Sequence, residues 1–236
     1  MKQGKLVPTQ NVIEADRCIA DLQRRPKLEM VGLGLIYGAP GLGKTTYATR
    51  AAYRNGWIYI RLESTTTTKT FAQTLLRSVY KCLGYGDLSV HGSSHELFQR
   101  AINKLTDHPE AVIIIDEIDY AFNNPKLLGT IRDIVDETLA IVILVGMENA
   151  KERLLQINRY YFDRCSQFYQ FLPATYHDLA TLAGSVMDVT PSEDVVRYIH
   201  RISNGNLRQA INIMDSIEDL ARKRAITEIT LKDIEG

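Results

Sequence analysis

Short apolar runs alternate with longer segments of helical spacing over most of the chain up to Pro173. The apolar runs predict five β-strands, at Val31–Tyr37, Trp57–Leu62, Ala111–Asp116, Ala140–Gly146 and Gln167–Leu172. The helical spacing predicts helices at Thr45–Arg54, Thr70–Leu83, Ser94–Thr106, Lys126–Thr138 and Ala150–Ile157. Such alternation is typical of a parallel sheet covered by helices.

Two of the runs are apolar at consecutive positions instead of alternate ones. Val112–Ile115 and Ile141–Val145 contain only Val, Ile and Leu. Strands of a parallel sheet are buried on both faces and have this composition. The predicted fold class is therefore α/β, with a five-stranded parallel sheet and helices on both faces.

The pattern changes after Pro173, where no further strand-like run follows. Helical spacing at Tyr176–Val186, Ser192–Ser203 and Asn206–Arg224 predicts a small all-helical domain. We therefore expect three parts. They are a helical segment over residues 1–30 that packs on the core, an α/β domain over residues 31–173 and a helical lid over residues 174–236.

Composition mainly excludes classes of protein. With 45% apolar and 24% charged residues in 236, the chain has the average composition of globular domains, which argues against disordered and fibrous proteins. No apolar run reaches the ~18 residues of a membrane helix, and no secretory signal follows Met1. The three cysteines lie far apart. We expect a cytoplasmic protein with reduced thiols and no membrane partner.

The net charge of zero argues against a protein that coats nucleic acid through bulk positive charge. The distribution of charge is uneven, however. Residues 44–81 hold seven basic residues and one acidic residue, whereas residues 82–143 hold ten acidic and four basic residues. An anion-binding surface is expected in the earlier segment.

The strongest chemical signal lies between the first predicted strand and its helix, at Gly38, Ala39, Pro40, Gly41, Leu42, Gly43, Lys44 and Thr45. This segment fits the G-x-x-x-x-G-K-[ST] spacing of a phosphate-binding loop. Glycines let backbone N–H groups converge on phosphate oxygens, and Lys44 neutralises the outer phosphates. Thr45 would ligate Mg²⁺, and we include Thr46 in the nucleotide-binding set. A glycine-rich turn that binds nothing is the alternative.

A second signal is the pair Asp116 and Glu117 at the end of a buried strand. Ligands of open α/β sheets bind at that end of the strands. Asp116 would hold Mg²⁺ through water or through Thr45, and Glu117 would polarise the attacking water. Acidic residues at a strand end can also be solvated strand termini, which is the alternative.

The Asp-Glu pair, the five strands and the trailing helical domain together resemble the AAA+ ATPases. Within that superfamily, the chain from Leu6 to about Leu231 is similar to the DNA-transposition ATPases of the MuB, TnsC and IstB type. Further matches are a short N-terminal helix, a Ser/Thr/Lys-rich loop after the second strand, and the segments Ile114–Asp119, Leu144–Gly146, Phe162–Arg164 and Gly205–Arg208. The resemblance implies ATP hydrolysis that is stimulated by assembly, a helical or ring homo-oligomer on double-stranded DNA without sequence preference, and a transposase as partner. Slow hydrolysis is expected as well, because the sequence departs from the family pattern after the fourth strand.

The resemblance also assigns roles to arginines. Arg164 matches the residue that a neighbouring subunit directs at the γ-phosphate, with Arg159 as a spare candidate. Arg208 matches a lid arginine that touches the nucleotide. A surface ion pair with Asp163 or Glu152 is the alternative for Arg164 and Arg159, and an exposed helix residue is the alternative for Arg208.

One position departs from the family pattern. The fourth strand of AAA+ proteins usually ends on a small polar residue that senses the γ-phosphate, but here Met147, Glu148 and Asn149 follow Gly146. A carboxylate beside a phosphate is repelled, so Glu148 suits this role poorly. We leave open which of the three residues serves as sensor.

DNA contacts are expected from Thr66, Thr67 and Lys69, in the loop that resembles the pore loop of the transposition ATPases. Hydroxyls and a lysine at a helix start can bind backbone phosphates without reading bases. The alternative is that the Ser/Thr run only caps the helix at Thr70.

Two other functions remain open. A replication-type helicase loader related to the Cdc6/Orc or DnaC groups would keep ATP and DNA but recruit a helicase. A STAND-like signalling switch would use nucleotide to gate oligomerisation without binding DNA, and in it the loss of Lys69 would change nothing.

Overall fold

The main sheet of the protein has five strands. In the computed structural model, which describes residues 6–86, 90–157 and 163–235, strands β1 to β5 lie at Leu33–Gly38, Ile58–Arg61, Val112–Asp116, Ile141–Gly146 and Cys165–Phe171. Their order across the sheet is β2-β3-β4-β1-β5. The predicted α/β class with a five-stranded parallel sheet is confirmed.

Helices connect these strands and form the C-terminal part. Helices α1 to α10 lie at Gln10–Arg24, Lys44–Asn55, Thr68–Cys82, Ser94–Thr106, Pro125–Glu137, Ala150–Ile157, Tyr176–Val186, Glu193–Ser203, Leu207–Arg224 and Leu231–Glu235. A 3₁₀ turn covers Ile118–Ala121. Among the described helices, none has the length and apolar character needed to cross a membrane.

The expectation of no strand after Pro173 is wrong. Thr190–Pro191 (β6) and Glu228–Ile229 (β7) form a small parallel pair. Two residues are too few to produce an alternating pattern in the sequence. Strand β5 begins at Cys165, two residues before the predicted start. The polar residues in its first part obscure the strand pattern in the sequence.

The chain forms two compact units. The sheet unit holds residues 15–38 and 44–170, and the helical unit holds the chain up to Glu14 together with residues 39–43 and 171–236. The division at residues 30 and 173 stays a prediction.

In the sheet unit, β3 and β4 are buried along their whole length. They pair in parallel from Val112 and Ile141 to Asp116 and Val145. Burial on both faces explains why these strands are apolar at consecutive positions. Parallel pairing also brings the carboxyl ends of the strands to one edge of the sheet.

In the helical unit, α7, α8 and α9 surround a core that includes Leu179, Ile199 and Met214, all fully buried. Gly205 connects α8 to α9 with a φ of +74°. Its amide carbonyl accepts a 2.8 Å hydrogen bond from the Ala174 N–H, and a Cβ on Gly205 would lie 2.6 Å from the Ala174 carbonyl oxygen. A side chain would therefore be excluded here by both space and backbone conformation.

A buried arginine fixes the chain after α1 in the sheet unit. Arg25 is 7% exposed. Its guanidinium donates to the carbonyl oxygens of Leu22 at 2.9 Å, Met30 at 2.9 Å and Leu139 at 2.7 Å. One side chain thus provides hydrogen-bond donors for carbonyl groups at the end of α1, in the turn before β1 and in the turn before β4.

Arg25→Ala is expected to lower the free energy of unfolding by about 2–4 kcal/mol, because it leaves buried carbonyl groups without donors. The neighbouring Arg24→Ala is the control, since the Arg24 side chain is 72% exposed and pairs only on the surface with Asp21. Its cost should stay below about 1 kcal/mol. Urea unfolding measures both, and equal effects of the two substitutions would contradict the role given to Arg25.

Candidate functional site

The loop Gly38–Thr45 joins β1 to α2. Gly38, Gly41 and Gly43 have φ angles of +155°, +82° and +91°. These values are open to glycine and strained for other residues, so the loop path depends on all three. Helix α2 begins at Lys44, which leaves its first N–H groups without intrahelical acceptors at the end of the loop.

Lys44 links the two ends of this loop through a hydrogen bond. Its ammonium group is buried and donates a 2.7 Å hydrogen bond to the carbonyl oxygen of Gly38. Thr45 is half-buried and Thr46 is exposed. A positive charge and a helix N-terminus therefore meet at the carboxyl end of β1, an arrangement that attracts anions.

Asp116 lies at the same edge of the sheet, at the end of β3. It is 2% exposed, and its two carboxylate oxygens are both bonded. Oδ1 accepts the N–H of Glu117 at 2.8 Å, and Oδ2 accepts the hydroxyl of Tyr59 at 2.9 Å. The carboxylate is thereby oriented by groups on either side of it.

Tyr59 acts as a permanent hydrogen-bond donor to Asp116. Burial first, and then the negative charge of Asp116, raise the pKa of the Tyr59 hydroxyl above its ordinary value of 10.0. The phenol therefore stays protonated at any physiological pH and keeps donating to the carboxylate.

Glu117 follows in a left-handed backbone conformation, with φ 58° and ψ 42°. Such a conformation costs free energy for a residue with a side chain and is enriched at functional sites. The Glu117 carboxylate lies 3.2 Å from the guanidinium of Arg61, the last residue of β2. Arg61 is the register partner of Asp116, so the β2–β3 pairing fixes this ion pair.

These groups fit a magnesium nucleotide. Mg²⁺ takes oxygen ligands and is usually held by one or two carboxylates together with phosphate oxygens and waters. Asp116 and the Thr45 hydroxyl offer such oxygens at one sheet edge. Within the described ranges no cluster of three or more His, Cys, Asp or Glu side chains forms a metal site, and a metal carried by a nucleotide needs none.

The predicted arginines lie elsewhere. Arg164 directly precedes β5, at the amino edge of the sheet, and its Nε lies 2.8 Å from Asp136 of α5. Arg159 lies outside the described residues. Arg208, on α9, is exposed, and its backbone N–H donates to the carbonyl oxygen of Gly41 at 3.1 Å.

The predicted DNA loop precedes α3. The Thr67 hydroxyl caps this helix by accepting the N–H of Thr70, and the Thr66 hydroxyl accepts the N–H of Glu63 at 2.8 Å. Lys69 is exposed in the first turn. The capping role considered as an alternative is thus present, and it leaves the Lys69 side chain directed to solvent.

Sequence reasoning missed the roles of Tyr59 and Arg61, and it included Asp119 in a matching segment without assigning it a role. The first two alternate with the buried Ile58 and Ile60 along β2, so the pairing of β2 with β3 was the signal that could have identified them. Asp119 Oδ2 accepts the N–H of Met147 at 2.8 Å and so ties the 3₁₀ turn to the end of β4.

The other two residues considered as sensors lie in the same β4–α6 turn. Met147 is half-buried, whereas Glu148 and Asn149 are exposed. The backbone of this turn is anchored through Met147, and the side chains of Glu148 and Asn149 are accessible to water.

The chain is similar in sequence to a known protein family. A sequence model of a family described as “AAA domain” matches residues 29–154. No curated protein sequence matches the chain significantly.

Several solved structures share the fold. The Aeropyrum pernix Orc1 protein in complex with DNA has a TM-score of 0.67 and 20% identity, over 97% of this chain and 64% of that chain. The Aeropyrum pernix ORC2 protein in ADPNP-ADP complexes has a TM-score of 0.71 and 16% identity, over 99% and 69%. The Thermotoga maritima RuvB Holliday junction branch migration motor has a TM-score of 0.62 and 20% identity, over 97% and 67%. The chain thus spans about 64% of the Orc1 protein.

Tyr59→Phe is expected to lower the free energy of unfolding by about 1–2 kcal/mol at pH 8, because a buried carboxylate oxygen loses its donor. The raised pKa makes this stabilisation complete below pH 10, and it declines as the pH rises further because the unfolded tyrosine ionises first. Urea unfolding of both proteins at pH 8 and pH 10.5 should therefore show a smaller difference at the higher pH. A difference that grows with pH would contradict the assignment.

Proposed function

The chain belongs to the AAA domain family of P-loop ATPases, and from that membership we propose that it is an ATP-dependent, DNA-binding regulator of transposition. ATP with Mg²⁺ binds at Gly38–Thr45, and hydrolysis resets an oligomer assembled on DNA. The observation that carries the proposal is that Gly38 and Lys44, at the two ends of the loop, lie at the same sheet edge as the Asp116–Glu117 pair, since nucleotide hydrolysis needs both the loop and the pair.

Each residue at this edge has a separable task. The loop N–H groups and the Lys44 ammonium bind phosphate oxygens, and Thr45 and Asp116 supply oxygens to the metal. When bound, Mg²⁺ neutralises charge on the outer phosphates. The Lys44 ammonium, which donates to the Gly38 carbonyl, would also donate to a phosphate oxygen, where donor and acceptor are both charged and the attraction is stronger.

Glu117 is the proposed general base. Its carboxylate accepts a proton from water as the water oxygen bonds to the γ-phosphorus, and the bond between that phosphorus and the ADP oxygen breaks, so that ADP leaves with the electron pair. The ion pair with Arg61 orients the carboxylate. Slow turnover is part of the proposal, since it suits an assembly that must persist until a partner arrives.

Arg164 is proposed to act on a neighbouring copy. In support of this, it lies before β5 at the amino edge of the sheet, opposite the edge that carries Gly38 and Asp116. An arginine there serves catalysis only where a second copy presents its own site to it. The ion pair with Asp136 keeps the guanidinium oriented in the meantime. Hydrolysis would then depend on assembly into a helical or ring homo-oligomer.

Double-stranded DNA is the proposed surface for assembly. Lys69 is exposed in the first turn of α3, and the hydroxyl residues Thr66 and Thr67 directly precede that helix, a combination that binds phosphates without reading bases. One or two such contacts per subunit suffice when a filament repeats them. The sequence resemblance to the transposition ATPases supports a transposase as the partner.

Glu117→Gln should reduce the rate of ATP hydrolysis by at least about 100-fold, because the amide cannot accept the proton from water. ATP affinity should stay that of the wild type, and assemblies on DNA should persist. Glu110→Gln, an exposed glutamate just before β3, is the control. Normal hydrolysis by the Glu117→Gln protein would remove Glu117 from its role.

Lys69→Ala should weaken ATP-dependent binding to a random-sequence duplex at least about threefold, and should make the salt dependence shallower by about one phosphate contact per subunit. Fluorescence anisotropy of the labelled duplex measures both. Lys81→Ala, exposed in the last turn of the same helix, is the matched control. Equal affinities of the wild type and both variants would contradict Lys69 as a DNA contact, and no binding of the duplex by any of the three proteins would favour a signalling switch.

A further inference from the structure

We propose that Asn206 is a positioning residue of the phosphate-binding loop. Its side-chain amide holds the carbonyl group of Pro40, and it thereby turns the loop's N–H groups toward the phosphates. The inference rests on the proposed binding of ATP at this loop and adds to it a residue that lies far away in the sequence.

The contacts lie within the helical unit, to which residues 39–43 also belong. Asn206 Nδ2 donates to the carbonyl oxygen of Pro40 at 3.0 Å. Two residues further on, the backbone N–H of Arg208 donates to the carbonyl oxygen of Gly41 at 3.1 Å. The start of α9 therefore holds two successive carbonyl groups of the loop.

Because of the geometry of the peptide group, these two hydrogen bonds also orient two backbone N–H donors of the loop. In a trans peptide the C=O and the following N–H point in opposite directions, and the described residues contain no cis peptide. Holding the carbonyls of Pro40 and Gly41 against α9 directs the N–H groups of Gly41 and Leu42 away from α9. Successive N–H groups aimed to one side form the concave donor set that binds phosphate.

The fit between Asn206 and the loop is close. A Cβ on Gly41 would lie 2.5 Å from both Nδ2 and Oδ1 of Asn206, and Gly41 has a φ of +82°. Glycine is therefore required at position 41 by its backbone conformation and also by the amide group packed against it.

Asparagine at position 206 serves two roles that other capping residues do not combine in the same way. Asn206 is the N-cap of α9, and its Oδ1 accepts the N–H of Gln209 at 3.1 Å. Serine and aspartate cap helices about as well as asparagine. Only asparagine combines the acceptor that caps the helix with an N–H donor for the loop. The two roles can consequently be separated by substitution.

The test compares Asn206→Ser and Asn206→Asp with the wild type in the full chain. Both substitutions keep a capping oxygen and lose the amide donor. The dissociation constant for MgATP should rise about three- to tenfold in each variant. Thermal unfolding without nucleotide should be unchanged, and so should the affinity for adenosine, which has no phosphates.

Three results would overturn the inference. The first is wild-type affinity for MgATP in Asn206→Ser. The second is weakening in Asn206→Asp alone, which would trace the effect to the added negative charge near the phosphates. The third is a loss of thermal stability or of adenosine affinity in parallel with MgATP affinity, which would indicate a purely structural role. A wild-type protein that binds no MgATP would overturn the proposed function itself, so the two failures are distinguishable.

Discussion

The parallel pairing of β3, β4 and β1 is the constraint on which the rest of the structure depends. With β4 between them, β1 and β3 both run toward the same edge and end there on Gly38 and Asp116. Gly38 and Lys44, at the two ends of the glycine-rich loop, are therefore brought to the same sheet edge as the Asp116 carboxylate by backbone hydrogen bonds between strands that are buried along their whole length. A rigid sheet therefore positions the loop ends and the carboxylate relative to each other.

The charged groups at this edge are each held by a neighbouring group of the protein. Lys44 donates to Gly38, Asp116 accepts from Tyr59, and Glu117 pairs with Arg61. Burying a charge without such partners would be costly. Under the proposed function, the same contacts that stabilise the folded chain also orient Lys44, Asp116 and Glu117 for a nucleotide, its metal and the attacking water.

Much of this arrangement could be predicted from the sequence. The consecutive apolar residues of β3 and β4 fixed the sheet type, and the spacing of glycines with Lys44 and Thr45 located the loop. Local spacing carries that information because strand, loop and helix follow one another directly. The tiny strands β6 and β7 gave no pattern, since each has only two residues.

The partners of the site residues were harder to predict because they depend on register and on distant segments. Tyr59 and Arg61 reach Asp116 and Glu117 only through the pairing of β2 with β3. Asn206 reaches Pro40 across 166 positions of the chain. The Thr67 cap was foreseen, because a helix start is a local feature.

The most direct test of the central claim is isothermal titration calorimetry of MgATP into the wild type and Lys44→Ala, each with and without EDTA. Lys126→Ala, an exposed lysine at the start of α5, serves as the control. We predict saturable binding to the wild type that weakens on removal of Mg²⁺, and a loss of at least about tenfold in Lys44→Ala because a charge-assisted hydrogen bond to phosphate is removed. Equal binding to all three proteins would contradict nucleotide binding at this loop.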